Sequence, residues 1–62
     1  MPTDETRHLL RAFGVAVTTY EDAVMTNVPV EEIANAEKDA RGRLQEVMAL
    51  MDRLREEASR AR

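Results

Sequence analysis

The acidic pairs Glu21–Asp22 and Glu31–Glu32 are the first places to look for acid–base chemistry, which needs two groups converging on one substrate. Adjacent residues on a helix point about 100° apart, so neither pair converges on a site. Both pairs read as solvated flank or first-turn residues. His8, three residues after Glu5, is the sole histidine, and there is no cysteine. That is too few for the usual nitrogen and thiolate ligand sets, and no His-Glu-x-x-His stretch is present. His8 is expected on the surface near a helix start, and no metal or cofactor is expected.

Tyr20 has no second acid–base group at a useful spacing, so its hydroxyl is expected at the edge of a core. Phe13 is the only other aromatic residue and reads as core. Glu37 is the acid that interrupts an otherwise apolar stripe. Buried there it needs a partner, which Arg41 one turn on or a cation of another chain can supply, and such a residue sets register or specificity. With the seam open at that end, Glu37 reaches water instead.

The arginines of the second half are the residues with reach toward phosphate. Residues 40–62 carry six arginines against four acids, whereas residues 1–39 carry eight acids against three bases, giving a net charge of −3 for the chain. Arg41, Arg43 and Arg53 are the nucleic-acid contacts to consider. They spread around the helix among acids, with no phosphate-cradling glycine loop and no stacking pair of aromatics. Nucleic acid is therefore the alternative partner and not the leading one.

The elements that must position these residues are two helices. Thr3 suits an N-cap, with Asp4 and Glu5 in the first turn, and Pro2 fits just outside. Leu10, Phe13, Val17, Tyr20 and Val24 then recur at three and four, with Leu9, Ala16 and Ala23 widening the face; this predicts a helix over about 4–26. Residues 14–20 also admit a short strand, since they combine Gly14 with β-branched side chains. The helix is preferred because the heptad phase runs through and no second strand exists to pair with.

Pro29 lacks an amide hydrogen and biases Val28 away from the helical region, so a turn is expected over about 27–29. Asn27 or Val28 would cap the next helix; a kinked continuous helix is the rival. The second helix, about 30–60, carries the longest pattern in the chain. Ile33, Ala40, Val47 and Leu54 alternate with Val30, Glu37, Leu44 and Met51, and Ala34, Ala36, Met48 and Leu50 flank them. Glu37–Arg41, Asp39–Arg43 and Glu56–Arg60 have the favourable four-residue order, and Arg60 and Arg62 suit a helix C-terminus.

The short connection predicts an all-α, antiparallel two-helix hairpin forming one domain. Its second helix should overhang the first by about eight to ten residues. Sixty-two residues without a disulfide form a marginal core, and the face around Val47–Leu54 is wider than one neighbour covers. Dimerisation into a four-helix bundle is the expected remedy. The predicted core and interface are Leu10, Phe13, Val17, Tyr20, Val24, Ile33, Ala40, Leu44, Val47, Met48, Met51 and Leu54.

The functional expectation is a protein–protein interaction or assembly module, with itself and another protein as partners and no enzymatic activity. No apolar run is long enough for a membrane span, and the first residues have no signal-peptide pattern. A cytoplasmic protein is expected.

Overall fold

A computed structural model describes residues 3–61. Two helices, α1 (Asp4–Met25) and α2 (Val30–Arg60), form an antiparallel hairpin. Pro2, expected just outside the α1 cap, and Arg62, expected as a helix-end cation, lie outside the described residues.

α1 begins where the capping chemistry puts it. Thr3 has an extended backbone, and its Oγ1 accepts from the Thr6 amide at 3.2 Å. This occupies one of the amides that no helical carbonyl can reach. The segment 14–20, which admitted a strand, is helical throughout. Thr18 and Thr19 accommodate the helix by donating their hydroxyls to the carbonyls of Gly14 and Val15, at 2.8 and 2.9 Å.

The break works differently from the sequence expectation. Asn27 does not cap α2; it closes α1, with φ at +60°. Asparagine tolerates this left-handed conformation better than most residues. It lets the Val28 amide turn back to the Ala23 carbonyl at 3.5 Å, while Thr26 donates both its amide and its hydroxyl to the Asp22 carbonyl. This is the six-to-one closure of a Schellman motif. Pro29 itself is the N-cap of α2: it has no capping side chain, and its carbonyl accepts from the amides of Glu32 and Ile33.

The helices meet along a seam in which alanines alternate with larger apolar residues. Ala16, Ala40 and Leu50 are the buried apolar residues, at 4%, 8% and 7% exposure. Leu9, Ala12, Phe13, Tyr20 and Ala23 of α1, with Ile33, Ala36, Val47 and the stem of Arg43 on α2, are half-buried around them. Alanines at the contact let the backbones approach closely but bury little area each. One ion pair joins the two helices among the described residues, Arg53 to Glu5 at 2.7 Å. It places the start of α1 level with Arg53, and α2, with 31 residues against 22, runs on beyond it.

The Cα trace measures 51 × 18 × 12 Å, a slab one helix thick. Such a slab has two broad faces and no interior beyond the line between its helices.

Candidate interaction surface

The two faces of the slab differ in chemistry. On one, a shallow open groove of about 320 Å³ is lined by Phe13, Val17 and Tyr20 of α1 and by Glu37, Ala40, Arg41 and Leu44 of α2. Leu10, Val17 and Val24 are seven apart, so they line up along α1. Leu44 and Met51 line up in the same way along α2, with Met48 between them. All six are exposed. The opposite face has one depression lined by His8, Arg11, Ala12, Val15, Ala16, Thr19, Asp39 and Arg43, with Val15 exposed, and a second lined by Asn35, Lys38, Asp39, Gly42, Arg43 and Glu46.

The predicted core and interface residues therefore divide into two sets. Ala40 is buried, and Phe13, Tyr20, Ile33 and Val47 are half-buried between the helices. Leu10, Val17, Val24, Leu44, Met48, Met51 and Leu54 remain exposed. The apolar band on each helix is wider than the hairpin seam, and its inner edge alone is used within the chain. Ala16 and Leu50, which the spacing assigned to the flanks, are instead the seam's most enclosed positions. The sevenfold recurrences Leu9–Ala16–Ala23 and Ala36–Arg43–Leu50 carried that signal, weakened by the arginine.

Glu37 sits at the boundary. Its carboxylate accepts from Arg41 Nε at 2.8 Å, and its side chain is 39% exposed. Glu37 is therefore not buried: it pairs with Arg41 one turn away and reaches the groove mouth.

The three arginines considered for phosphate contacts already have carboxylate partners. Arg41 pairs with Glu37, Arg43 with Glu46 at 3.2 Å and Asp39 at 3.9 Å, and Arg53 with Glu5. All are at least partly solvated pairs worth up to about 1 kcal/mol each, so they compete only weakly with a strong polyanion. They do leave the arginines interleaved with acids.

Glu31 and Glu32 occupy the first turn of α2 and are exposed, as are Glu21, Asp22 and His8. Among the described residues no group of three or more histidine, cysteine or acidic side chains is placed to hold a metal. Among the described residues no helix is long and apolar enough to cross a membrane.

The surface area gives the apolar face its weight. A compact monomer of 7.0 kDa exposes about 4,000 Å². This chain exposes 5,356 Å², about a third more; six of its exposed large apolar side chains lie on one face, while Val15 is exposed on the other. No family model matches the chain, and no significant similarity links it to a curated protein or to a solved structure.

Proposed function

We propose that this hairpin is an assembly module. It self-associates through its apolar face into a four-helix bundle, and in that form serves as an adaptor or accessory subunit for another protein. The role is one of interaction and not of catalysis. The observation that carries the reading is the exposure of Leu10, Val17, Val24, Leu44, Met48 and Met51 along one face of a hairpin in which Ala16, Ala40 and Leu50 are the buried apolar residues among those described. Contiguous apolar surface of this kind on a small protein marks an interaction site. The excess, about 1,300 Å² over a compact chain of this mass, is more than the roughly 800 Å² that each partner of a standard interface contributes.

Sedimentation equilibrium across micromolar concentrations, with far-ultraviolet circular dichroism on the same samples, tests the self-association. A mass of two chains with full helicity is the expected result. A helical, cooperatively folded monomer throughout that range refutes it. Mass spectrometry of proteins that co-purify from the native host then addresses the further partner.

A further inference from the structure

Resting on that reading, we propose that the two copies pair with their turns at opposite ends, α2 lying antiparallel along α2, so that each overhang is seated on the other copy's turn end.

The argument begins with the outward stripe of α2. Positions at steps of four and three from Ala34 share one face, and Glu37, Arg41 and Leu44 of that stripe border the apolar groove. Read onward, the stripe continues through Met48, Met51, Arg55 and Ala58. It is balanced about its middle near residue 46. An antiparallel copy brings Leu44 against Met48 of the second copy, Arg41 against its Met51, Glu37 against its Arg55, and Ala34 against its Ala58. The symmetry repeats each contact. The acid of one copy thus meets a base of the other twice. The Arg55 side chain is 82% exposed, and its ion pair among the described residues is a long 3.7 Å contact to Asp52, so it can reach Glu37 of the second copy.

The length of α2 points the same way. The Glu5–Arg53 pair puts the start of α1 near Arg53, so the last turns of α2 run past it, and Leu54 there is exposed. With the turns at opposite ends, the overhang of each copy lies over the first turns of the other's α2. With the turns at the same end, α1 of one copy lies over α2 of the other at the levels the hairpin already has. Glu21 is then level with Glu37, two like charges, and both overhangs project past the bundle.

The absence of native cysteine makes the register directly testable. Ala34→Cys and Ala58→Cys are made as separate variants at exposed positions. In the proposed pairing each cysteine lies about 36 Å along the axis from its own copy in the partner chain, so neither variant cross-links alone on oxidation. An equimolar mixture of the two forms a disulfide-linked heterodimer. Cross-linking of either variant by itself overturns the pairing, as does a mixture that sediments as a dimer without forming the mixed disulfide. A protein that sediments as a monomer at every concentration overturns the self-association itself, which is a different result.

Discussion

Replacing Leu44 with glutamate should break the proposed dimer and leave the hairpin folded. In the single chain Leu44 keeps 42% of its surface exposed. Complete burial of a leucine is worth about 1.5–3 kcal/mol, so the remaining exposed part corresponds to about 1 kcal/mol available on association. A symmetric dimer uses it twice, and about 2 kcal/mol is roughly thirtyfold in dissociation constant. Two carboxylates placed in an apolar contact add a desolvation cost, taking the expected loss beyond about a hundredfold. Glutamate has nearly the helix propensity of leucine, so α2 itself is spared. Sedimentation equilibrium over a hundredfold dilution reads the loss of dimer, and circular dichroism at high concentration reads whether the helices survive.

The contrast is Leu50→Ala, at 7% exposure inside the seam. It should destabilise the hairpin by about 2–5 kcal/mol and abolish helicity and association together. Leu44→Glu with an unchanged dissociation constant refutes the assignment of this face to the interface.

Gly42→Ala should stabilise the protein by about 0.5–1 kcal/mol per chain, because nothing lies within 4 Å of the added Cβ. Thermal melts at matched concentration should show a rise of a few degrees, and a fall would mean that something packs against that surface. Asn27→Ala should lower stability by about 1 kcal/mol, since alanine tolerates a φ of +60° poorly. Asn27→Gly should match or exceed the parent in a urea titration. Arg55→Glu should weaken the dimer several-fold, by analogy with exposed ion pairs of up to about 1 kcal/mol. The double variant Glu37→Arg/Arg55→Glu should recover much of the loss, and no recovery would deny the contact between copies.

Much of the secondary structure was legible from local chemistry. Thr3 as a cap, Pro29 as a break and the unbroken heptad phase through residues 14–20 are effects of neighbouring residues on one another. They need no knowledge of what lies across the fold. The overhang followed from the two helix lengths alone. At the turn, local reasoning found the break but misassigned Asn27, because cap preferences for asparagine exist at both helix ends. The choice between them depended on whether the chain needed a left-handed residue to reverse direction.

What the sequence by itself determined is that each helix has an apolar band, and where along the chain it runs. Periodicity is a property of one helix, so it marks a band without saying which edge of it faces the neighbour. Tertiary packing decided that. Ala16 and Ala40 allow a close approach that larger side chains would block, so the hairpin closes on the edge containing them. The leucines and methionines at the other edge turn outward with Glu37 and Arg41 beside them. The surface that a partner would meet is thus a product of which small residues two helices brought together.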